Sequence, residues 1–479
     1  MADIYRPSLR LRPSEQRTVL LIGDFIASVA ATVGAIFFWY QYSLYRLIEG
    51  GIKQNVAERI IQIEVPFWFY ILPLVWILLM VDSYEIHTAS NWRKTLRGIA
   101  VAPIVGLLGY SLLFTINTDP NSLPRIAIGA FLVLASFLTL GWRAIYIRLY
   151  TSSGLMRRVL VVGAGKAGRT LVEAYRKLNP PPFLIIGFID DDPVKRNKSY
   201  SGFAVLGDSE HLFDLIEDYR ISDVVVAING EIKGETFQTI LDVQERGVEV
   251  TRMPIMYEEL TQRVPIEHLE TDWVIRSFVD QVRVSGMYEF LKRTMDILGG
   301  FVGTLIFAFL FPITALAIVL ETGFPIFYSQ PRLGKGAKAF NILKFRTMKQ
   351  NAEAEGIKNA EENDPRITKV GNFLRKTRLD EVPQFWDVLR GEMSLVGPRA
   401  ERPELVAEYQ KQIPFYRARL LVKPGLTGWA QINYGYVATV KETVVKLEYD
   451  LYYIKHRTLS MDFSIVLRTI GTVLRRTGR

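Results

Sequence analysis

The stretch "ILGGFVGTLIFAFLFPITALAIVL", residues 297–320, decides how this chain meets a membrane. It has about 24 residues, and a helix needs ~20 apolar residues to cross a hydrocarbon core. Arg283, Lys292 and Arg293 precede the stretch, and six further cations follow it between residues 332 and 349. Because Lys and Arg concentrate on the cytoplasmic side of membranes, both flanks are predicted to be cytoplasmic.

Pro312 lies inside this stretch and offers a way to place both flanks on one side. Proline removes a backbone hydrogen bond and bends a helix. We therefore predict a re-entrant helix over about residues 291–321 that breaks at Pro312, enters the inner leaflet and returns. The alternative, one complete crossing with a tolerated proline, stays open because membrane helices accept proline.

The first 150 residues predict a four-helix transmembrane bundle. Four apolar stretches approach the length of a membrane span, and they cover Thr18–Tyr40, Pro66–Val81, Ile99–Ile116 and Ile126–Leu140. Lys and Arg cluster before the first stretch, before the third and after the fourth, so both ends of the bundle are predicted to be cytoplasmic. Asp24, inside the first stretch, could be a functional charge within the membrane. We favour a carboxylate that snorkels or is bonded within the bundle, and we assign it no functional role.

Composition narrows the classes of partner and metal. The formal net charge of +9 favours anionic lipid heads or phosphate-bearing substrates, and it favours nucleic acid less. The sequence has no cysteine, which excludes disulfides, Cys-ligated metals and thiol nucleophiles. Its four histidines are not at ligand spacing, which argues against zinc. Any metal is therefore predicted to have oxygen ligands, as Mg²⁺ or Mn²⁺ does.

Residues 151–270 predict a doubly wound, Rossmann-like α/β domain. The segment "RRVLVVGAGKAG" is a β-branched strand that runs into a glycine-rich turn, and a second strand ends at Asp190. Such a turn lets a pyrophosphate approach the backbone, and an acid about 20 residues later can bond a ribose. The predicted site for NAD or another nucleotide thus comprises Gly163, Gly165, Gly168 and Asp190. The competing interpretation is that these glycines only pack the first helix on the sheet.

Tyr288 and Lys292 form the chief alternative to the function developed below. Their Tyr-x-x-x-Lys spacing is the catalytic pair of NAD-dependent short-chain dehydrogenases and sugar-nucleotide dehydratases. With the Gly-rich turn at 163–168, the pair suggests a membrane-anchored NAD-dependent dehydratase or dehydrogenase. Lys292 leads directly into the apolar stretch, however, which favours a role at the end of a membrane element.

The remaining residues, 280–479, predict a mixed catalytic domain with many basic side chains. Asp380 and Glu381 stand side by side in this basic region, directly after Arg378. Nearby cations are expected to lower the pKa of both carboxyl groups and to keep both ionised. One carboxylate could then act as a nucleophile and the other as a metal ligand. A surface cluster of salt bridges remains the alternative interpretation.

Three segments of this domain resemble the bacterial polyprenyl-phosphate glycosyl-1-phosphate transferases. They are "PIFYSQPRLGKGAKAFNILKFRTMK", "DPRITKVGNFLRKTRLDEVPQFWDVLRGEMSLVGPRAERPE" and "KPGLTGWAQIN". The resemblance covers roughly residues 285–470. The apolar bundle and the nucleotide-fold domain ahead of it are similar to the large multidomain branch, which includes undecaprenyl-phosphate glucose and galactose phosphotransferases.

The resemblance implies a reaction and a set of site residues. Sugar-1-phosphate would pass from a UDP-sugar to undecaprenyl phosphate with release of UMP, through a phospho-Asp intermediate on Asp380. Glu381 would hold Mg²⁺, and substrate phosphates would meet Lys344, Arg346 and Arg378. The uridine-side turn would be Gly397, Pro398 and Arg399, where Ala400 replaces the usual proline. In the membrane helix, Phe311-Pro312 stands where some members have Ser-Pro.

The resemblance also implies a location and a pathway class. The chain would be a multi-pass protein of the bacterial inner membrane, in contact with its lipids, with its soluble domains in the cytoplasm. It would initiate assembly of a surface glycan such as an exopolysaccharide or O-antigen. The identity of the UDP-sugar, a homodimer and a ligand of the middle domain are left open by the sequence.

Overall fold

The computed structural model describes residues 13–61, 65–84, 91–116, 124–150, 156–179, 181–230, 232, 234–269, 286–349, 364–435 and 439–474. The chain divides into two compact units between Met256 and Tyr257. The first unit contains the N-terminal apolar helices and an α/β sheet. The second contains the acidic pair and the apolar stretch that opens the sequence analysis.

The described part of the first unit begins with five helices. They are α1 (Pro13–Glu49), α2 (Gln54–Ile60), α3 (Leu72–Leu79), α4 (Trp92–Ile116) and α5 (Arg125–Tyr150). Helices α1, α4 and α5 are long and apolar enough to cross a membrane. The second predicted span is shorter than expected, because helical structure covers Phe67–Leu79. That length is about 20 Å, less than the ~30 Å hydrocarbon core.

Asp24 is bonded inside the bundle, as predicted. Its Oδ2 lies 2.5 Å from Nη2 of Arg143 on α5, and both side chains are fully buried. The same guanidinium donates from Nη1 to the carbonyl of Ser83 at 2.7 Å. Helices α1 and α5 also approach closely, since a Cβ on Gly23 would lie 2.0 Å from the Trp142 ring. The ion pair and this close packing join the first helix to the last.

The α/β sheet confirms the predicted parallel architecture. Its strands are β1 (Arg158–Val162), β2 (Leu184–Ile189), β3 (Ser199–Tyr200), β4 (Phe203–Gly207), β5 (Asp223–Val226) and β6 (Glu249–Arg252). The spatial order is β3-β4-β2-β1-β5-β6, and every neighbouring pair is parallel except β3 with β4. The accompanying helices are α6 (Lys166–Arg176), α7 (Leu212–Tyr219), α8 (Gly234–Glu245) and α9 (Met253–Thr261).

The glycine-rich turn joins β1 to α6, where the sequence placed it. Gly163 has a φ of 108°, a conformation that side chains disfavour. A Cβ on Gly168 would lie 2.1 Å from the carbonyl oxygen of Gly163. Both glycines are therefore required by the packing of α6 against the end of β1.

The second unit combines the long apolar helix with small strand pairs and short helices. Its elements are α10 (Gly286–Thr322), β7 (Phe327–Leu333), β8 (Ala339–Phe345), α11 (Lys369–Thr377), α12 (Gln384–Arg390), β9 (Ser394–Val396), α13 (Pro403–Gln412), β10 (Gly425–Thr427), α14 (Trp429–Asn433), α15 (Val440–His456) and α16 (Leu459–Leu474). Strands β7 and β8 form an antiparallel hairpin, and β9 pairs with β10 in parallel.

The core of this unit includes residues that precede α10. Val264 and Ile266 are buried together with Val396, Trp429 and Leu451. The sequence analysis placed the end of the middle domain at residue 270. The structure instead packs the segment 257–269 with the catalytic unit.

The predicted interruption of the membrane helix at Pro312 is wrong, because α10 continues through this proline from Gly286 to Thr322. Just before Pro312, Phe311 stacks against Phe327 and Phe345 of the hairpin, and Phe307 packs against the same two rings at a tilt. A missing hydrogen bond at one residue does not end a helix that is held by such packing. The predicted return of the chain to its original side of the membrane remains a prediction.

Helix α10 lies along its own unit over most of its length. Near the start, Arg293 donates to the carbonyls of Val388 at 2.8 Å and Leu389 at 2.7 Å. Near the end, Glu321 accepts the backbone N–H groups of Lys369 at 2.7 Å and Val370 at 2.9 Å. Both ends of the helix are thus held by the same compact unit.

Candidate active site

Two elements bring the predicted acidic pair to a buried position beside strand β8. Helix α11 ends at Arg378, whose left-handed backbone (φ 61°) turns the chain into a 3-10 turn over Leu379–Glu381. Asp380 is 8% exposed and Glu381 is 9% exposed. A surface cluster of salt bridges, the alternative interpretation, is therefore excluded for this pair.

Glu381 is held by two of the predicted cations. Its Oε1 accepts hydrogen bonds from Nζ of Lys344 at 2.7 Å and from Nη2 of Arg399 at 2.6 Å. Burial by itself would raise the pKa of Glu381, but the charges of Arg399 and Lys344 hold that pKa well below its ordinary value. The structure thus keeps Glu381 ionised and fixes its orientation, as the sequence analysis expected.

Asp380 differs from its neighbour in both bonding and charge. Its Oδ1 is buried without a hydrogen-bond partner among the residues that the structure describes. Burial and then the negative charge of Glu381 raise the pKa of Asp380, although Lys344, Arg375 and Arg378 act against this rise. The expectation that the pKa of Asp380 lies below its ordinary value is therefore wrong, because burial and Glu381 outweigh the nearby cations. The pair contains one anchored carboxylate and one with an oxygen free to form a new bond.

The predicted turn at Gly397, Pro398 and Arg399 lies in the same site. Gly397 donates its N–H to the carbonyl of Thr427 at 2.9 Å, and the carbonyl of Pro398 accepts the Gly425 N–H at 2.9 Å. A Cβ on Gly397 would lie 2.4 Å from the carbonyl oxygen of Lys423, so the close approach needs glycine. These contacts fix the backbone from which Arg399 reaches Glu381.

A buried ionic cluster lies behind Arg399. Glu401 accepts a hydrogen bond from Nζ of Lys446 at 2.5 Å, and Arg419 pairs with Asp450 at 2.8 Å. Arg419 also donates to the carbonyl of Arg399 at 3.0 Å. Burial alone would raise the pKa of Glu401, but Lys446 and Arg419 lower it to about 2. This cluster fixes the main chain at Arg399 in place.

Arg346 and Arg378, the other two predicted phosphate contacts, do not bond to Glu381 as Lys344 does. Arg346 donates from Nη2 to Thr322 Oγ1 at 2.5 Å and to the carbonyl of Gly323, so it holds the end of α10. Its Nε and Nη1 are buried without partners among the described residues. Arg378 is half-buried, and its charge acts on Asp380. Arg375, which the sequence analysis did not select, donates to Thr347 Oγ1 at 2.9 Å and also acts on Asp380.

Oxygen ligands for a metal are present, but few. The described residues contain no cluster of three or more His, Cys, Asp or Glu that could enclose an ion. Mg²⁺ is commonly bound through one or two carboxylates together with substrate phosphates and water. The acidic pair fits that donor chemistry, with Glu381 as the carboxylate that is already ionised.

The predicted nucleotide site in the first unit is bonded internally. Oδ2 of Asp190 accepts the N–H of Ala164, inside the glycine-rich turn, at 2.7 Å. Oδ1 accepts the N–H of Asp192 at 3.0 Å, and Lys195 Nζ lies 2.9 Å from the carboxylate. Gly163, Gly165 and Gly168 form the turn that Asp190 closes. The carboxylate that would bond a ribose is therefore satisfied by the protein itself.

Tyr288 and Lys292 are engaged within the second unit. The Tyr288 hydroxyl donates to Oδ2 of buried Asp462 at 3.0 Å, and Lys292 Nζ lies 3.2 Å from the same oxygen. Lys292 also donates to the carbonyl of Val396 at 3.2 Å. These bonds fix the start of α10 to α16, which explains the pair without a nicotinamide.

Comparisons with known proteins agree with this division of the chain. Residues 287–476 match the family model described as bacterial sugar transferase, and residues 80–254 match one described as a CoA-binding domain. The chain is 44% identical over 217 residues to a UDP-N-acetylgalactosamine-undecaprenyl-phosphate N-acetylgalactosaminephosphotransferase of Aeromonas hydrophila, covering 45% of this chain and 50% of that protein.

Longer matches extend into the first unit. The chain is 32% identical over 323 residues to a UDP-glucose:undecaprenyl-phosphate glucose-1-phosphate transferase of Escherichia coli K12, covering 66% of this chain and 67% of that protein. It is 30% identical over 346 residues to a UDP-galactose-lipid carrier transferase of Erwinia amylovora, covering 67% and 69%. The match thus spans about half to two thirds of these relatives.

Proposed function

Since this chain belongs to the bacterial sugar transferase family, in the branch that also carries the CoA-binding-type domain, we propose that it transfers a sugar-1-phosphate from a UDP-sugar to undecaprenyl phosphate. The named relatives of Aeromonas hydrophila and Escherichia coli act on UDP-sugars and undecaprenyl phosphate, which supports these two substrates. The observation that carries the mechanism is the division of the acidic pair into anchored Glu381 and reactive Asp380.

The reaction proceeds in two displacements at one phosphorus. An Asp380 oxygen attacks the phosphorus that bears the sugar; the bond to the bridging oxygen breaks, and UMP leaves with that oxygen and its electron pair. A phosphate oxygen of the lipid then attacks the same phosphorus, and the bond to Asp380 breaks. The products are the lipid diphosphate-sugar and the original carboxylate, so no other reactant is consumed.

The side chains around the acidic pair stabilise the negative charges of the diphosphate and of the attacking carboxylate. Glu381 would hold Mg²⁺, which neutralises the diphosphate oxygens when it is bound. Lys344 and Arg399 fix Glu381 and bring two positive charges beside the acidic pair, which favours the binding of phosphates. Arg375 and Arg378 act on Asp380, and their charges favour its ionised, nucleophilic form.

The exposed face of α10 supports attachment to the cytoplasmic leaflet of the inner membrane. Seven apolar side chains follow one another at helical spacing and are exposed: Leu298, Val302, Leu305, Phe309, Ile313, Leu316 and Leu320. The opposite face packs on the catalytic unit, as at Gly303, where a Cβ would meet the Phe385 ring at 2.2 Å. A helix that crossed the bilayer would need ~20 residues clear of that unit. We therefore infer that α10 enters one leaflet and places Asp380 at the cytoplasmic surface.

The test of the reaction compares two Asp→Asn variants that lie two turns apart in the same helical segment. Asp387 is also buried, and its Oδ2 accepts the Leu343 N–H at 3.2 Å. With purified full-length protein, undecaprenyl phosphate and a panel of UDP-sugars, Asp380→Asn is expected to release no UMP and form no covalent sugar-phosphate adduct. Asp387→Asn should retain both. Turnover by Asp380→Asn would refute the mechanism, and a wild type inactive with every donor would refute the function.

The membrane placement has its own test, because the chain has no cysteine. A single cysteine at exposed Lys335, on the hairpin after α10, is expected to react with a membrane-impermeant reagent only from the cytoplasmic side. Labelling from the periplasmic side would show that α10 crosses the bilayer.

A further inference from the structure

Two buried polar atoms in the second unit lack hydrogen-bond partners although they lie only four residues apart. They are Oδ1 of Asp380, an acceptor, and Nε2 of Gln384, a donor. Buried polar groups in folded proteins are almost always bonded, so an unbonded pair asks for an explanation. The proposed mechanism explains the oxygen of Asp380 and leaves Gln384 unexplained.

Asp380 and Gln384 share one face of a continuous helical segment. The 3-10 turn of Leu379–Glu381 leads through Val382 and Pro383, both in the right-handed helical conformation, into α12. The buried polar residues of this segment lie at 380, 381, 384 and 387, which is the spacing of one helical face.

The neighbours of Gln384 on this face show what the face contacts. One turn earlier, Glu381 bonds to Lys344 of β8 at 2.7 Å. One turn later, Asp387 accepts the N–H of Leu343, the preceding residue of β8, at 3.2 Å. Gln384 lies between them on the same helical face and is 3% exposed, so its side chain is buried on the face that also carries the acidic pair.

A buried amide donor without an acceptor lowers the stability of the folded protein. Such a donor is useful only if an acceptor arrives with the substrate. A primary amide is neutral, so it can bond a phosphate oxygen without altering the charges on Asp380 and Glu381. A non-bridging oxygen on the phosphorus that Asp380 attacks is an acceptor of this kind.

We propose that Gln384 is a further catalytic residue, which donates a hydrogen bond from Nε2 to a non-bridging oxygen of the phosphoryl group attacked by Asp380. The proposal rests on the proposed transferase function. The bond holds the phosphorus opposite Oδ1 of Asp380 and stabilises the charge on the phosphoryl oxygens during transfer.

The experiment replaces Gln384 by Met, which has a similar length and no N–H group. In the full-length protein with UDP-sugar and undecaprenyl phosphate, kcat is expected to fall about 10²-fold, the effect of losing one preorganised donor. The melting temperature is expected to stay equal or to rise, because an unbonded buried donor has been removed. Gln384→Glu should be less active still, because its negative charge repels the phosphoryl group.

The matched control is Gln330→Met. Gln330 is 8% exposed, and its Oε1 accepts a hydrogen bond from Nη2 of Arg332 at 2.9 Å, so this change removes a bond that exists. The control is expected to lower the melting temperature and to leave kcat near that of the wild type. A wild-type kcat for Gln384→Met would overturn the proposal. So would a loss of activity that follows a lower melting temperature, since that result indicates a packing role.

A second measurement needs no turnover. UDP with Mg²⁺ is expected to raise the melting temperature of the wild type, and Gln384→Met should reduce that rise. If the wild type releases no UMP from any donor, the proposed function fails and the catalytic role of Gln384 fails with it. The shift then decides only whether Gln384 bonds a phosphate: equal shifts in the two proteins would overturn that bond, and a smaller shift in the variant would support it.

Discussion

The glycine-rich turn of the first unit and the acidic pair of the second are two places where the sequence predicts a phosphate-bearing ligand, and they differ in what is left unbonded. Asp190 accepts hydrogen bonds from Ala164, Asp192 and Lys195. Asp380 keeps a buried oxygen without a partner in the described chain. The first carboxylate stabilises a turn, whereas the second is maintained at a cost in stability. The comparison indicates that Asp380 has an oxygen available for a new bond, whereas the oxygens of Asp190 are already bonded.

After Asp380→Asn, Glu381→Gln gives the largest expected effect. The amide cannot offer Mg²⁺ a charged ligand, and it weakens the bonds to Lys344 and Arg399. We expect the rate of UMP release to fall about 10³-fold, equivalent to about 4 kcal/mol in the barrier. Asp190→Asn, measured in the same assay, should change this rate less than about twofold. Comparable losses of rate in both variants would contradict this expectation, because the glycine-rich turn that Asp190 closes would then take part in the reaction.

Ile266→Ala tests where the second unit begins. Ile266 is buried in the core of that unit, so its truncation should cost about 2–4 kcal/mol and lower the temperature at which transferase activity is lost. Ile255, on α9 ahead of the boundary, is 43% exposed and is the matched control. Ile255→Ala should cost less than about 0.5 kcal/mol. If the two variants lose activity at the same temperature, the segment 257–269 does not support the catalytic unit.

The expected fold was derived from patterns that depend on neighbours in sequence. β-branched runs identified β1, β2 and β5, and the apolar runs identified α1, α4, α5 and α10. The break at Pro312 was wrong because stacking by Phe327 and Phe345, which come later in the chain, sustains the helix. The second span was overestimated because apolar composition does not show where helical structure ends.

The sequence selected residues that the structure brings together, but it misjudged the pKa of one of them. The resemblance selected Asp380, Glu381 and Arg399, and the structure brings them together. Charges along the sequence suggested a low pKa for Asp380, but burial, which those charges do not show, outweighs them. The signal for Gln384 was present as a four-residue spacing from Asp380. Only the structure shows that its amide is unbonded.

The next prediction contrasts the stability of two Asp→Asn variants. Asp190→Asn removes a bonded carboxylate and is expected to cost about 1–3 kcal/mol. Burial raises the pKa of the Asp380 carboxyl group, so its ionised form destabilises the folded protein at neutral pH. Asp380→Asn removes that charge, and the variant should therefore be as stable as the wild type or more stable. Thermal melting of both proteins measures the difference. A lower melting temperature for Asp380→Asn would mean that its carboxylate is bonded in solution.

The smallest expected effect concerns pH. Attack requires ionised Asp380, whose pKa lies above the ordinary ~3.9 because of burial and then the charge of Glu381. Because the pKa of Asp380 is higher in the folded than in the unfolded state, the folded state binds the carboxyl proton more tightly. The contribution of this group to the free energy of unfolding is therefore present at low pH and is lost as pH rises through the folded-state pKa. The rate of the first UMP burst should change in the opposite sense and decline as pH falls.

Arg378→Asn sharpens this expectation, because Asn tolerates the left-handed backbone at that position and removes a cation that lowers the pKa of Asp380. The acid side of the burst-rate profile, measured between about pH 5 and 8, should therefore move to higher pH. Lys376→Asn, on the exposed side of α11, is the control and should leave the profile in place. An unmoved profile for Arg378→Asn would show that this cation does not act on Asp380. Equal movement of the profile in both variants would show that the net charge of the protein, and not Arg378 itself, sets the pKa of Asp380. In that case local charges would not distinguish Asp380 from the internally bonded Asp190.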